Sequence, residues 1–286
     1  MKFTKLQGTG NDFVLVESSD EGRDWSKLAS AMCERHFGIG SDGLLLLLPS
    51  KSADFRMRMF DPDGSEAEAC GNGIRCLARY VYDRDMIPAG ADRISVETIV
   101  GVRQLRLNKE ADKLTSIQAG MGEPAFEAEE IPVKIEQGRE RISYTRNMIG
   151  YPVNVAGIDM LLNFVSMGNP HAVYFQEKPV ADFPLSQVGP EVEHLAIFPR
   201  RTNFEVVRVI SRAEIEVRTW ERGVGETLAC GSGACAVAVA AQLCGYADNK
   251  VNIKLLGGTL QLEWDGAGEV LMTGPAETVF SGEWPD

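Results

Sequence analysis

The sequence predicts a fold of the α/β class, of the α+β kind, in which two pseudo-symmetric domains each wrap a sheet around one helix. Three observations predict it. Strand-like apolar runs outnumber helical patterns along the chain. A set of motifs recurs at a spacing of 160 residues (230 − 70). In each copy, a helical pattern begins directly behind a cysteine.

The first-half strands are expected in FTKLQGTGNDFVLVE, GLLLLL, DFRMRMF, RISVETIV and RQLRLN. GLLLLL reads as a strand that is buried on both faces. The second-half strands are expected in NFVSMGNPHAVYF, FEVVRVI, EIEVRTW, VNIKLL, TLQLEW and EVLMTG. We expect an N-terminal domain of residues 1–120 plus 277–286 and a C-terminal domain of 121–276, with the Glu-, Pro- and Gly-rich stretch 121–150 crossing between them.

Each domain has one central helix. Apolar residues after Cys70 recur at helical spacing, so IRCLARYVYDR is predicted to be an amphipathic helix with one buried stripe. The matching segment after Cys230, ACAVAVAAQLC, is apolar on all sides and is closed by Gly245. We expect this second helix to be buried all round.

The repeat is gapless around the two cysteines. At an offset of 160 residues, similar residues coincide as follows: Arg58 with Arg218, Phe60 with Trp220, Asp61 with Glu221, Glu66 with Glu226, Ala69 with Ala229, Cys70 with Cys230, Gly71 with Gly231 and Gly73 with Gly233. Upstream, GNDFVLV from Gly10 resembles GNPHAVYF from Gly168. We interpret the chain as two copies of one unit, in which Glu66 and Glu226 read as loop or capping carboxylates.

Composition restricts the class of protein. The chain has 286 residues, 44% of them hydrophobic and 24% charged, which is typical of a soluble globular protein. Its 29 basic and 41 acidic residues give a net charge of −12, which disfavours nucleic acid and anionic membranes as partners. The longest apolar run, residues 234–241, is far shorter than the ~20 residues of a spanning helix. Since the first residues also show no apolar signal region, we expect a cytoplasmic protein.

The cysteines predict reactive thiols rather than a scaffold or a metal site. Six cysteines in a chain of this length are too few for a disulfide framework. The spacings Cys70 to Cys76 and Cys230 to Cys235 are not CxxC, and three histidines are too few to complete a zinc site convincingly. We expect no metal.

Two helix N-termini behind cysteines point to chemistry on a small anion. The unpaired N–H groups of 71–73 and 231–233 would bind a carboxylate, and the same field would lower the pKa of each thiol from ~8.5 towards neutrality. Two thiols on opposite sides of one bound molecule could remove a proton from one face of a carbon and return one to the other. This arrangement inverts a stereocentre, and it needs no cofactor.

Several long segments resemble one known family. GTGNDF, DGSEAEACGNGIRC, GNPHAV, RTNFE, ERGVGETLACGSGA and GPAETVFSGEW occur in order along nearly the whole chain. They are similar to the signature segments of the diaminopimelate epimerases, an isomerase family of amino-acid racemases that work without pyridoxal phosphate. The resemblance implies two similar domains, each a mostly antiparallel sheet or barrel around a central helix, with the active site in the cleft between them. It also implies a homodimer and the interconversion of L,L- and meso-diaminopimelate in lysine and peptidoglycan precursor synthesis.

The resemblance also implies roles for individual residues. The two catalytic cysteines fall on Cys70 and Cys230, with polar neighbours at His171 and Glu221 that help the thiols exchange protons. Arg222 would hold the distal carboxylate of the substrate. The remaining substrate-binding positions are Asn11, Asp61, Gly71, Asn72, Asn169, Asn203, Gly231 and Ser232. Two of these depart from the common pattern: Ser232 replaces a threonine, and Asp61 stands where many members have an asparagine.

Two alternatives stay open from the sequence. A related cofactor-independent racemase could act on another amino acid, because the carboxylate of Asp61 would repel a distal carboxylate. A redox-switch protein could instead form a reversible disulfide between Cys70 and Cys230. The pattern GIGSDG from Gly38 matches GxGxxG, but here the helical pattern comes before it and the strand after it, so we expect no nicotinamide cofactor.

Overall fold

The structure is a computed structural model that describes residues 1–67, 70–111, 113–134 and 150–285. The chain divides into two compact units, Met1–Gly120 with Thr273–Asp286, and Met121–Met272. The return to the first unit therefore comes at Thr273 rather than at residue 277. Contacts explain the difference, because Gln118 donates to Oγ1 of Thr273 (3.2 Å) and Ala276 is buried in the first core.

The predicted crossing is only partly within the described residues. Residues 121–134 belong to the second unit, where Ala125 pairs with Ser166 and Ile131 is fully buried. Residues 135–149 lie outside the described residues. Two positions of the DGSEAEAC motif, Glu68 and Ala69, also lie outside them.

The elements of the first unit follow the predicted runs closely. They are β1 (Lys2–Gly8), β2 (Asn11–Glu17), α1 (Trp25–Cys33), β3 (Gly43–Leu48), β4 (Phe55–Phe60), β5 (Glu66–Ala67), α2 (Gly71–Asp83), β6 (Arg93–Thr98), β7 (Gly101–Glu110) and β8 (Lys113–Gly120). The pairs β1–β2, β3–β4, β4–β5, β6–β7 and β7–β8 are antiparallel, whereas β2–β3 and β4–β6 are parallel.

The second unit repeats this order. Its elements are β9 (Tyr151–Val155), β10 (Ile158–Ser166), β11 (Pro170–Phe175), α3 (Leu185–Glu193), β12 (Asn203–Ser211), β13 (Glu214–Glu221), β14 (Gly225–Thr227), α4 (Gly231–Leu243), β15 (Lys250–Leu255) and β16 (Gly258–Glu263). They are followed by β17 (Leu271–Gly274), in which the chain passes back to the first unit, and by β18 (Glu277–Glu283) in that unit.

Strand pairing confirms the duplication. The parallel pair β2–β3 matches β11–β12, and the parallel pair β4–β6 matches β13–β15. The helices α2 and α4 start 160 residues apart (231 − 71). Arg58 and Glu66 form a two-bonded ion pair, and Arg218 and Glu226 form the same pair in the second unit. The two glutamates therefore join β5 to β4 and β14 to β13 rather than capping the helices.

A sheet wraps around one helix in each unit. In the first unit α2 packs against β1, β2, β3, β4, β8 and β18, and in the second α4 packs against β10, β11, β12, β15 and β16. Every residue of β3 is buried, because Leu45 and Leu47 face the α2 core while Leu44 and Leu46 face α1. The predicted buried strand is confirmed, and the mostly antiparallel α+β class with it.

The two helices differ from the prediction in one respect. α4 is buried along residues 233–241, as expected, and ends before Gly245, whose φ of +75° suits glycine. α2 is buried on all sides over its first two turns instead of along one stripe, and this includes Arg75, which is 0% exposed. In the part of the chain that the structure describes, no helix is long and apolar enough to span a bilayer.

Some elements have little signal in the sequence. The strands β8, β9, β14 and β18 were not predicted, and neither was α3, which contains Pro190. β14 has three residues and β18 is exposed along nearly all of its length, so neither has an apolar alternation to reveal it. Their pairing partners hold them in place.

Candidate active site

Cys70 lies at the start of α2 beside two asparagines. Its backbone is extended (φ −130°, ψ 120°), so the helix begins with the next residue. A tight turn with positive φ at Thr9 and Gly10 joins β1 to β2 and presents Asn11. Oδ1 of Asn11 accepts hydrogen bonds from Sγ of Cys70 (3.6 Å) and from Nδ2 of Asn72 (3.1 Å). The thiol thus faces an amide carbonyl.

Charged groups behind these amides fix their orientation. Asp42 accepts from Nδ2 of Asn11 at 2.7 Å, which turns the carbonyl of Asn11 towards the thiol. Arg75 donates to Oδ1 of Asn72 at 2.7 Å and also to the carbonyl of Gly71 at 3.1 Å. A fully buried guanidinium therefore supports the first turn of α2, beneath Cys70.

Cys230 occupies the matching position before α4, with φ −110° and ψ 111°. Its Sγ accepts a hydrogen bond from the backbone N–H of Gly233 (3.4 Å) and lies 3.5 Å from Oγ of Ser232. The helix N-terminus thus points one of its unpaired N–H groups at the sulfur, as the sequence predicts.

A polar chain leads from Ser232 into the second unit. Oγ of Ser232 accepts from Nδ2 of Asn169 (3.3 Å), and Oδ1 of Asn169 lies 3.0 Å from Nε2 of His171. Nδ1 of His171 lies 2.7 Å from Oε1 of Glu205, and both side chains are 0% exposed. The structure therefore brings Asn169, His171, Ser232 and Cys230 together, along with a carboxylate that the sequence analysis missed.

The expected low thiol pKa is wrong for Cys230. Burial raises the pKa of this thiol well above its ordinary value, and the carboxylates of Glu221 and Glu205 raise it further. The hydrogen bonds from Ser232 and Gly233 lower it by less. Loss of solvation in this apolar setting outweighs the helix N-terminus. Burial likewise raises the pKa of Glu221, although Thr227 donates to its Oε1 at 2.5 Å.

Asn203 and Arg222 are tied to each other through the backbone. Asn203 donates to the carbonyl of Pro170 (2.9 Å), and its Oδ1 accepts from the backbone N–H of Arg222 (2.9 Å). The guanidinium of Arg222 is exposed and donates to the carbonyl of Arg200 at 3.2 Å. Asn203 thus fixes the base of a side chain whose charged end is available to a ligand.

The family follows from comparison with known proteins. The family model for diaminopimelate epimerase matches residues 3–127 and 163–279. The chain is 49% identical over 100% of its length to the diaminopimelate epimerase of Pelotomaculum thermopropionicum, 99% of which is covered. It is 47% identical over 99% of its length to the diaminopimelate epimerase of Methanococcus maripaludis, also covered to 99%. The chain belongs to the diaminopimelate epimerase family.

Solved structures agree with this diaminopimelate epimerase family assignment at the level of the fold. A PhzF-family phenazine biosynthesis protein from Bacillus anthracis superimposes with a TM-score of 0.69 at 15% identity, covering 100% of this chain and 99% of that one. A probable proline racemase from Agrobacterium radiobacter gives 0.69 at 14% identity, covering 99% and 92%. At such low identity these likenesses show the shared fold alone.

The residues that this family member was predicted to use fall into one group in each unit. Asn11, Asp61, Gly71 and Asn72 accompany Cys70 in the first unit, and the others accompany Cys230 in the second. Sequence reasoning missed Asp42, Arg75, Glu205 and Thr227. Three of them lie in segments singled out above (GIGSDG, GNGIRC and RTNFE), but a charged residue in a motif gives no sign that it is buried.

Proposed function

We propose that this chain epimerises L,L-diaminopimelate to meso-diaminopimelate without a cofactor, in lysine and peptidoglycan precursor synthesis. The observation that carries the proposal is the equivalent position of Cys70 and Cys230, each directly before the central helix of its unit. The proposal requires the two thiols to approach one α-carbon from opposite faces. Within it we place the enzyme in the cytoplasm and expect a homodimer.

The chemistry needs one thiolate and one thiol at a time. The thiolate takes the α-proton, the electron pair of the broken C–H bond delocalises into the α-carboxylate, and the other thiol returns a proton to the opposite face. Backbone N–H groups of Gly71 and Asn72, with those of Gly231 and Ser232, would stabilise the growing negative charge. The raised pKa of Cys230 makes it the proton-bearing thiol of the free enzyme, so Cys70 is the base for the first turnover. The two roles exchange in the reverse direction.

The substrate assignment depends on the distal end of the site. The exposed guanidinium of Arg222 supports a substrate with a second carboxylate, because a planar fork binds a carboxylate with two hydrogen bonds. Burial raises the pKa of Asp61, and the charge of Asp63 raises it further. Because the uncharged form of Asp61 is favoured, its repulsion of a distal carboxylate is reduced. An uncharged carboxyl offers a donor and an acceptor, much as the usual asparagine does.

Deuterium uptake tests the reaction directly. Under reducing conditions in heavy water, without pyridoxal phosphate, we expect the wild-type enzyme to incorporate deuterium at the α-carbon of diaminopimelate. Cys70→Ala and Cys230→Ala each delete one side of the relay, so kcat for epimerisation should fall by ~10³-fold or more with the fold intact by circular dichroism. Cys33→Ala is the matched control and should stay near wild-type activity. No uptake by the wild-type enzyme would leave the reversible-disulfide hypothesis in its place.

Arg222→Ala tests the substrate class. Loss of the guanidinium should raise KM for diaminopimelate by about 100-fold, since a charged hydrogen-bonded pair contributes about 1.5–3 kcal/mol. An amino acid that lacks the distal carboxylate, if it reacts at all, should be affected far less. Equal losses for both substrates would contradict the role given to Arg222, and a wild-type preference for a monocarboxylic amino acid would support a racemase of another substrate.

A further inference from the structure

A carboxylate is buried behind Cys230 where packing does not call for one. Glu205 lies on β12 and is 0% exposed. Its Oε1 bonds to Nδ1 of His171, while its Oε2 is buried with no hydrogen-bond partner among the described residues. Burial of a half-satisfied carboxylate costs several kcal/mol, so such a group calls for a reason.

The matching place in the first unit is apolar. In the parallel pair β11–β12, His171 lies opposite Asn203, two residues before Glu205. In the parallel pair β2–β3, Phe13 lies opposite Gly43, two residues before Leu45. Phe13 and Leu45 therefore correspond to His171 and Glu205, and both are 0% exposed.

The glycines of the two central helices confirm this correspondence. A Cβ added at Gly233 would come within 2.7 Å of Oε1 of Glu205, and one added at Gly73 would come within 3.1 Å of Cδ2 of Leu45. Each side chain thus lies against the third residue of its helix. Since phenylalanine and leucine fill this place in one unit, the polar pair in the other is not required by the fold.

Hydrogen-bond bookkeeping shows which way the polar chain runs. Asn169 donates through Nδ2 to Ser232, so its Oδ1 faces Nε2 of His171 and can only accept. Nε2 must therefore carry a proton. The bond of 2.7 Å between Nδ1 and Glu205 then needs a second proton, and a carboxylate at this distance favours that proton on the ring.

The chain ends on the sulfur. Because Oγ of Ser232 accepts from Asn169, its own O–H is available to donate to Sγ of Cys230 at 3.5 Å. Every donor in the series from His171 to Ser232 then points towards the thiol, which favours the thiolate. The titratable groups that face the pair are Cys230, at the start of α4, and Glu221, on β13.

We propose that Glu205 is a positioning residue: it holds His171 doubly protonated and so directs a chain of hydrogen bonds at the sulfur of Cys230. The protonated ring polarises Asn169 and Ser232, and this opposes the burial that disfavours a charged sulfur. Glu205 touches no reacting atom and acts only through His171. The effect on rate rests on the proposed epimerase function, whereas the protonation of His171 does not.

Nuclear magnetic resonance of the imidazole nitrogens tests the protonation. The chain has three histidines, so His36→Gln and His194→Gln assign the two exposed rings and leave the signals of His171. We expect His171 to carry protons on both nitrogens at neutral pH in the wild-type protein and on one in Glu205→Gln. Glu193→Gln removes another buried carboxylate, which bonds to Trp220 and Gly223 instead, and should leave His171 unchanged. A singly protonated His171 in the wild-type protein would overturn the proposal.

The pH profile of epimerisation is the second readout. In Glu205→Gln the thiolate of Cys230 is harder to form, so the acid limb of kcat should move to higher pH, with kcat at neutral pH lower by ~10- to 100-fold and KM within about 2-fold. A merely structural change would lower the rate equally at all pH values, and that result would contradict the proposal.

A double variant guards against misfolding. His171→Phe with Glu205→Leu rebuilds the pair found in the first unit, and apolar replacement of a buried polar pair is often neutral or stabilising. We expect this variant to unfold at a denaturant midpoint no lower than wild type while losing most of its activity. A variant as active as wild type would refute the role of the pair. An inactive wild-type enzyme would refute the epimerase function and leave the magnetic resonance result to decide on Glu205.

Discussion

The two units place a cysteine in the same way and surround it differently. Cys70 faces amide groups that are supported by the buried cation of Arg75. Cys230 lies near the acidic side chains of Glu205 and Glu221, with His171 as the neighbouring base. The backbone of the repeat therefore determines where each sulfur lies, while side chains at matching positions determine how readily it holds a proton. Two-base chemistry uses this difference, because at any time one thiol must be charged and the other protonated.

The largest expected difference between the units concerns Arg75 and its counterpart Cys235 (75 + 160). Arg75→Met removes donors from Asn72, from the carbonyl of Gly71 and from Oγ1 of Thr9, all inside the core. We expect the free energy of unfolding in urea to fall by about 3 kcal/mol or more, because buried acceptors lose their partners. Cys235→Ala should cost only about 1 kcal/mol. Equal losses would show that the buried cation does not distinguish the units.

A smaller difference is expected at the helix glycines. In Gly233→Ala the new methyl group would meet Glu205 at 2.7 Å and Sγ of Cys230 at 3.3 Å, so one of them must shift. In Gly73→Ala the nearest atom is a leucine methyl carbon at 3.1 Å, which yields more easily. We expect kcat to fall at least ~10-fold more in Gly233→Ala, because the clash falls on the hydrogen bond between Glu205 and His171. Steady-state kinetics of the two purified variants decide the matter.

The smallest effect is expected at Asp61 and Glu221, which occupy matching positions. Burial raises the pKa of both carboxyls in the folded protein. Each therefore costs nothing below the pKa of the unfolded chain, and its cost grows as the pH rises through the folded pKa. Asp61→Asn and Glu221→Gln should each stabilise the protein at pH 8 relative to pH 4, by less than about 1 kcal/mol. A gain that is larger at pH 4 would have the wrong sign.

Much of the fold could be predicted because it depends on local pattern. The buried run of β3, the all-apolar α4 and the helices behind each cysteine are all visible as periodicity and turn residues. The repeat extended these local patterns to a second unit. Short or fully exposed strands such as β14 and β18 have no such pattern, because their place depends on the strand to which they bond.

The sequence by itself determined the duplication, the family and the two cysteines with their helices, since these follow from the order and spacing of residues along the chain. Only the tertiary structure decided that Arg75 and Glu205 are buried and that Cys230 holds its proton tightly. The physical reason is that solvation and charge act through space. Whether a carboxylate stabilises or opposes a thiolate depends on neighbours from distant parts of the chain, and no local pattern records them.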